Sequence, residues 1–409
     1  MISNSAITFA AALTNYKHEV SQALDDILDF WMSETCDSVH GGFIGRIDGN
    51  NEHDATAPKG AVLNARILWT FSAAYKLRRD PRYHQTAKRA YDYMLLRFID
   101  QEYGGVYWTV DVNGVPLDMK KQVYAIAFTI YGLSEYHQAF DEPRALELSK
   151  QLYHLLIERT FDRGRLGYFE AYQRDWKELN DLRLSPKDAN EKKTMNTHLH
   201  VLEAYATLYI SWPNEELRQQ IRLLLEIFRD HIISPESGHL ILFFDENWVA
   251  KSDTVSYGHD IEAAWLLLEA AEIIQDEQLI PEFEMIAQRL ARAAAEGLAG
   301  DGSLSYEFEP SKHELISERH WWVQAEAMVG FFNAYQLSGE PGDLSLSLKS
   351  WEYTKAHIID KERGEWFWGA LEDGCIMPGE DKVGIWKCPY HNSRACLEII
   401  KRVQNLLNS

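Results

Sequence analysis

The chain has 409 residues, 46% of them hydrophobic, and a formal net charge of −21. That is ample for a large buried core, and the acidic balance excludes nucleic acid as an expected partner, because its phosphates repel an acidic surface. No apolar run approaches the ~20 residues that span a bilayer, so no membrane partner is expected either. The four cysteines, Cys36, Cys375, Cys388 and Cys396, show no framework spacing, which predicts reduced thiols and a cytoplasmic location.

The N-terminal stretch "MISNSAITFAAALTNYKHEV" has a short apolar patch but no basic n-region; it reads as the start of a first helix rather than a signal peptide. That helix continues through "HEVSQALDDILDFWMSE". A short phrase follows, "GGFIGRIDGN", and its pattern recurs along the chain as "GGVYWTVDVNG", "LGYFEAYQRDW", "SGHLILFFDENW", "DGSLSYEFEP" and "RGEWFWGALEDG". Each has a Gly, then aromatic or β-branched residues, and most then turn through Asp, Asn or Gly, as a short hairpin does. Aligned on Gly42, Gly105, Gly167, Gly238, Gly302 and Gly364, the spacings are 63, 62, 71, 64 and 62.

A period near 63 residues fits two helices plus their loops. After each phrase comes a segment with helical spacing, in order "KGAVLNARILWTFSAAYKL", "KQVYAIAFTIYGLSEYHQAF", "KTMNTHLHVLEAYATLYI", "YGHDIEAAWLLLEAAEII", "HWWVQAEAMVGFFNAYQL" and "HNSRACLEIIKRVQNLL". Most run apolar nearly all round, which belongs inside. The helices before the phrases, such as "YHQTAKRAYDYMLLRFID" and "LRQQIRLLLEIFRDHII", are charged on one side and suit an outer layer. Six alternating outer and inner helices predict an all-α (α/α)6 barrel, with short hairpins at one mouth and one catalytic domain over 1–409. A monomer is the expectation for a barrel of this size. The longest irregular gap, Glu170 to Asn196, is rich in Asp, Lys and Pro and is a candidate lid over the mouth, with a solvated surface loop as the alternative.

The six inner-helix starts carry polar groups to one mouth: Asn64 and Arg66; Tyr124; Asn196 and His200; His259 and Glu262; Trp321, Trp322, Gln324 and Glu326; His391, Asn392 and Arg394. One such case would be a helix cap, but six converging on one mouth predict a site. A lone histidine is by default structural. His198 fits that default, lying about 200° around its helix from His200, as do His18, His84, His154 and His357 on outer helices. His200, His259 and His391 open inner helices and are the functional candidates. The 13 Trp and 20 Tyr are many for the length; most belong to the core, but any near the cleft would suit sugar rings.

Three chemistries compete for these residues. A catalytic metal is not expected, because there is no HExxH, no second histidine one turn from His259, and Arg66 and Arg394 would repel a cation. An inverting glycosidase would need two opposed carboxylates, for which Glu262 and Glu326 are available, although a buried Glu326 held by an arginine is the plainer reading. Acid/base chemistry fits the histidines better. A helix N-terminus lowers a histidine's pKa and keeps it ready as a base, and Glu262 could fix the tautomer of His259. Two histidines on opposite walls could take a proton from one face of a carbon and return one to the other, with Arg66 stabilising an enediolate oxygen. No Gly-rich phosphate or dinucleotide motif is present, so no cofactor is expected.

The segments "RHWWVQAEAMVGFFNAYQLSG", "SYGHDIEAAWLLLEAA", "MNTHLHVLEAYATLY" and "IWKCPYHNSRACLEII" resemble those of the cellobiose 2-epimerases in the N-acylglucosamine 2-epimerase superfamily, and the resemblance covers nearly the whole chain. It implies an (α/α)6 barrel that acts on a β-1,4-linked disaccharide (cellobiose, lactose or mannobiose). The enzyme would convert the reducing-end glucose to mannose and back through ring opening and a cis-enediolate. It implies His259 and His391 as the acid/base pair, Arg66 at the C1 and C2 oxygens, His200 in ring opening with Asn196 beside it, and Glu262 supporting the histidine site. Trp322 and Trp386 would stack on the two sugars, with Tyr124 at the mouth, Asp188 on the loop near the distal sugar and Glu326 among the substrate-binding residues. The alternatives kept open are an N-acylglucosamine or monosaccharide 2-epimerase/isomerase, an inverting glycoside hydrolase, and a sugar-binding protein that has lost its chemistry.

Overall fold

The computed structural model describes residues 4–408, and among these twelve α-helices follow the predicted order. The outer helices are α1 (Asn4–Ser33), α3 (Pro81–Tyr93), α5 (Pro143–Arg159), α7 (Glu215–Ile227), α9 (Leu279–Ala294) and α11 (Pro341–Tyr353). The inner helices are α2 (Ala61–Arg78), α4 (Val123–Phe140), α6 (Met195–Ser211), α8 (Tyr257–Ile273), α10 (Trp321–Ser338) and α12 (Tyr390–Asn408). Each inner helix packs on the next, and α12 returns to α2, closing an (α/α)6 barrel. The expected start of the first helix is present from Asn4, and Met1–Ser3 lie outside the described residues. No helix is long and apolar enough to cross a membrane.

The outer helices begin where the sequence supplies caps. Pro81, Pro143 and Pro341 take first positions, where a missing N–H costs nothing, and Asp80, Glu142 and Asn214 accept backbone N–H groups of the first turns. The inner helices are buried almost throughout, with α12 the exception: Lys401, Gln404 and Asn405 are exposed. The last helix therefore behaves as a half-covered inner helix.

The repeating phrase has a physical cause. All six aligned glycines have positive φ, from +64° at Gly42 to +88° at Gly302, a conformation glycine adopts without a Cβ penalty. At Gly42 an added Cβ would also lie 2.7 Å from the Tyr93 ring. Near each glycine an apolar residue closes the turn through an antiparallel bridge: Cys36 with Phe43, Ile99 with Val106, Phe161 with Tyr168, Ile233 with Leu240, Leu298 with Leu304, and Ile359 with Trp366. The second member of each pair is buried.

Two-residue strands tie the repeats together. The strand that leads into an inner helix pairs with the hairpin of the following repeat: Lys59–Gly60 with Thr109–Val110, Lys121–Gln122 with Ala171–Tyr172, Lys193–Thr194 with Phe243–Phe244, Val255–Ser256 with Glu307–Phe308, and Arg319–His320 with Gly369–Ala370. Asp381–Val383 pairs back to Ile47–Asp48, so the belt closes on the first repeat. The 71-residue spacing is explained by the loop between Tyr172 and Lys193, which Gln122 fastens through the carbonyls of Leu182 and Arg183. A three-residue hairpin, Glu307–Glu309 with Glu314–Ile316, stands beside it; its second strand was hidden within a polar segment.

Four of the six repeats bury a lysine in this strand and pair it with an aspartate of the preceding turn. Lys59 reaches Asp37 (2.7 Å), Lys121 reaches Asp100 (2.7 Å), Lys193 reaches Asp162 (2.8 Å) and Lys382 reaches Asp360 (2.5 Å). Where Val255 or Arg319 takes the lysine's place, Ser234 or Ala299 takes the aspartate's. Lys59, Lys193 and Lys382 also bond turn carbonyls, Gly41 O at 2.7 Å, Leu166 O at 2.7 Å and Gly364 O at 3.1 Å, so these turns are locked to the strand that leads into the helix. Removing one partner of such a buried pair strands a charge and typically costs about 3–5 kcal/mol. Lys59→Ala should therefore lower the thermal unfolding temperature clearly, and Lys59→Met with Asp37→Leu should recover much of the loss. Equal stability of Lys59→Ala and the parent would refute a locking role.

Candidate active site

Residues from all six inner-helix starts converge inside the barrel. Arg66, on α2, is buried between the Phe128 ring, 4.2 Å from its guanidinium carbon, and the Tyr390 ring, 4.8 Å away. Its Nη2 donates to the Tyr124 hydroxyl at 2.8 Å and its Nη1 to Cys388 Sγ at 3.7 Å, while Nε has no partner among the described residues. Tyr124 lies edge-on to His200, with ring centres 5.1 Å apart, and touches Trp386, which also packs on Trp108. Arg66 is thus aimed by two neighbours and keeps spare donor capacity.

His259 and His391 both contact one indole: their ring centres lie 4.8 and 5.7 Å from Trp322. They are held differently. His259 Nδ1 is 2.8 Å from Ser256 Oγ, whereas His391 Nδ1 is 2.7 Å from Glu326 Oε1. Neither Nε2 has a protein hydrogen bond among the described residues. Burial lowers the pKa of each, to about 3 for His259 and well below the ordinary histidine value for His391, where Arg66 and Arg394 add to the effect. Desolvation is thus the leading cause of both shifts. His259 keeps part of its surface open to the mouth; His391 is buried.

Below the histidines sits Arg394, with three carboxylates around one guanidinium. Nη1 donates to Glu203 Oε1 at 2.5 Å, and Nη2 donates to Glu262 Oε1 at 2.5 Å and Glu326 Oε1 at 2.7 Å. Glu326 Oε2 accepts from Trp265 Nε1 at 3.1 Å. Glu203 also takes the Tyr390 hydroxyl at 2.5 Å and His200 Nδ1 at 2.9 Å. Burial alone would raise Glu203, but Arg394, His200 and Tyr390 hold it down to about 2. Burial and the neighbouring Glu326 push Glu262 up to about 8, and burial raises Glu326. Atoms of Glu262, Glu326 and His391 suited to a metal lie within 4.8 Å of one another. The cation among them, however, is the Arg394 guanidinium, which already takes both carboxylates.

The geometry changes two expectations. Glu262 does not bond His259; Ser256 does, and Glu262 instead holds Arg394, 3.9 Å from His391 Nδ1. Glu326 has both oxygens engaged by protein, so it lies behind His391 rather than free toward a sugar. Asn196 stands one turn before His200 with its Oδ1 unpartnered. Asp188 lies on the 173–192 loop, where it accepts from Ser185 N at 2.8 Å, and it bonds none of the other candidates. His198 is structural: its Nε2 accepts from Tyr168 N and its Nδ1 meets Thr194 O.

Sequence reasoning missed Glu203, Tyr390, Cys388 and Ser256. Glu203 had a signal, since it follows His200 by three residues just as Glu262 follows His259. Tyr390 and Cys388 lay in the quoted "WKCPYHNSR" but carried no charge to mark them. Ser256 precedes its helix and carries no charge to mark it.

The family model described as N-acylglucosamine 2-epimerase (GlcNAc 2-epimerase) matches residues 42–395. A protein of Bacteroides fragilis called cellobiose 2-epimerase is 48% identical over 385 residues, covering 94% of this chain and 98% of its own. One of Ruminococcus albus with the same name is 40% identical, covering 94% and 98%. The solved structure of cellobiose 2-epimerase from Spirochaeta thermophila superposes with a TM-score of 0.91 at 40% identity, covering 97% of this chain and 98% of that one. With its barrel, its paired histidines and a match over most of its length, the chain belongs to the N-acylglucosamine 2-epimerase family.

Proposed function

We propose that this chain epimerises the reducing-end sugar of β-1,4-linked disaccharides at C2, interconverting glucose and mannose ends, with cellobiose the first substrate to test and lactose and mannobiose in the same class. The observation that carries this reading is the pair of histidines that both contact Trp322, each with Nδ1 held by the protein and Nε2 without a protein partner among the described residues. The indole offers a flat apolar surface for the C–H face of a sugar, and each imidazole would then address one face of C2. His200, bonded to Glu203, would move the proton that opens the ring. Arg66 would stabilise the enediolate oxygens as charge develops. Trp386 and Trp108 would extend the apolar platform to the second sugar, with Tyr124, Asn196 and Asp188 as polar contacts.

The hydrolase reading is disfavoured by geometry. Inverting glycosidases hold two carboxyls about 6.5–9.5 Å apart across the substrate, whereas Glu262 and Glu326 meet on a single Nη2 of Arg394. The four thiols are unpaired, which supports a reducing compartment such as the cytoplasm.

Incubating the protein with cellobiose in D2O tests the reading directly. The expected result is the mannose-ended epimer carrying deuterium at C2, and His259→Ala and His391→Ala should each lower its rate by about 10²–10⁴-fold. Release of free glucose would refute it. Arg66→Ala should reduce kcat far more than it raises KM, because its interaction strengthens only in the transition state; a variant with normal turnover at saturation would remove Arg66 from that role. Because burial depresses the pKa of both histidines, their base forms persist as pH falls. kcat/KM should therefore hold from about pH 7.5 down to about pH 5.5, where an ordinary imidazole is mostly protonated. A decline with its midpoint near 6.5 would contradict that assignment.

A further inference from the structure

We propose that Glu326 is the positioning residue that stores the proton which His391 delivers to C2, so that His391 works as a two-proton relay while His259 works alone. The inference rests on the epimerase reading above. Epimerisation through an enediolate moves two protons, one off C2 and one onto its other face. Two neutral histidines can accept a proton, but a neutral imidazole that donates without replacement becomes imidazolate, which is far too costly. The second proton must come from a group bonded to one of them.

The two histidines differ in what lies behind them. His259 Nδ1 meets the Ser256 hydroxyl, which does not titrate near neutral pH. His391 Nδ1 meets the Glu326 carboxyl at 2.7 Å, with Glu262 Oε1 3.9 Å away. Glu326 and Glu262 share one Nη2 of Arg394, whose other Nη serves Glu203. One guanidinium cannot neutralise three buried carboxylates, and two carboxyls this close resist ionising together. Glu203 stays ionised on Arg394, His200 and Tyr390, so the retained proton falls to the Glu262–Glu326 pair, in agreement with the raised values of both.

The steps balance. For the epimer whose C2–H faces His259, the Nε2 lone pair takes the proton. The C–H electron pair then becomes the C1–C2 π bond of the enediolate as the C1=O π pair moves onto O1; protonation of C2 reverses both shifts and restores the carbonyl. On the opposite face, C2 takes the proton from His391 Nε2–H as His391 Nδ1 takes the proton of Glu326. The protein gains one proton on His259 and loses one from Glu326; His259 then releases its proton to water and Glu326 takes one back through His391. The other epimer reacts with the form in which His259 holds the proton and Glu326 is ionised, and runs the same sequence backwards. His259 is the histidine partly open to the mouth, so its proton is the one that exchanges with water.

The test is Glu326→Gln, which keeps the shape but cannot relay, followed by NMR in D2O on each epimer separately. Epimerisation should fall by about 100-fold or more with KM little changed. The epimer that faces His259 should still exchange its C2 proton for deuterium without inverting, because that histidine can take and return a proton on one face. Epimerisation within a few-fold of the parent would overturn the relay, and so would equal loss of exchange for both epimers in a protein of parental thermal stability. If Glu326→Gln is unstable, Glu262→Gln decides: losing the neighbouring charge should move the alkaline decline of kcat to lower pH, and an unmoved decline overturns the proposal. Absence of deuterium at C2 with the parent protein would instead sink the epimerase reading itself.

Discussion

Arg394 is the constraint on which the candidate site depends. Three carboxylates reach one buried guanidinium from three different inner helices, α6, α8 and α10, and the guanidinium comes from a fourth, α12. Burying so many charges is unfavourable unless they compensate one another, so the four helix starts are fixed relative to each other by the need to satisfy one group. The Tyr390 and Trp265 rings lie 4.4 and 4.8 Å from the same guanidinium. The residues proposed to meet the sugar, His200, His391 and Trp322, are built on top of this cluster. Rigidity at the mouth is thus set one layer below it, where no ligand reaches.

The two ends of that cluster serve different needs. At Glu203 the charge is retained, which orients His200 and favours its cationic form when it accepts a proton. At Glu262 and Glu326 burial and mutual repulsion work the other way and keep a proton in place. A single cation surrounded by more carboxylates than it can neutralise therefore sorts them into ionised and protonated members. This sorting needs no metal, only unequal hydrogen bonding: Glu203 has three polar partners, while Glu262 leaves Oε2 without one.

Much of the architecture was legible because it repeats. Six glycines at positive φ and six buried bridge residues produce a period visible by eye, and helices apolar on all sides identify the inner ring without any contact information. The histidines and Arg66 were legible because they break that apolar pattern at helix starts. The pairings were not. That Glu326 serves His391 and not a sugar depends on the angle at which α10 faces α12, and periodicity along one helix says nothing of its rotation against another. Ser256 at His259 was hidden for the same reason, as were the four Lys–Asp pairs, whose members lie 21 or more positions apart with no local cue.

The belt of two-residue strands has a consequence for how the molecule comes into being. Its last link joins Asp381–Val383 to Ile47–Asp48, and α12 packs against both α1 and α2. His391 and Arg394 lie beyond that link, so the first repeat must wait for nearly the whole chain to be made before the ring can shut. During synthesis the finished inner helices, apolar almost all round, have no neighbour on one side. The nascent polypeptide therefore presents a long-lived sticky flank to the cell, and chaperone capture is expected to govern its yield more than the stability of the closed barrel does.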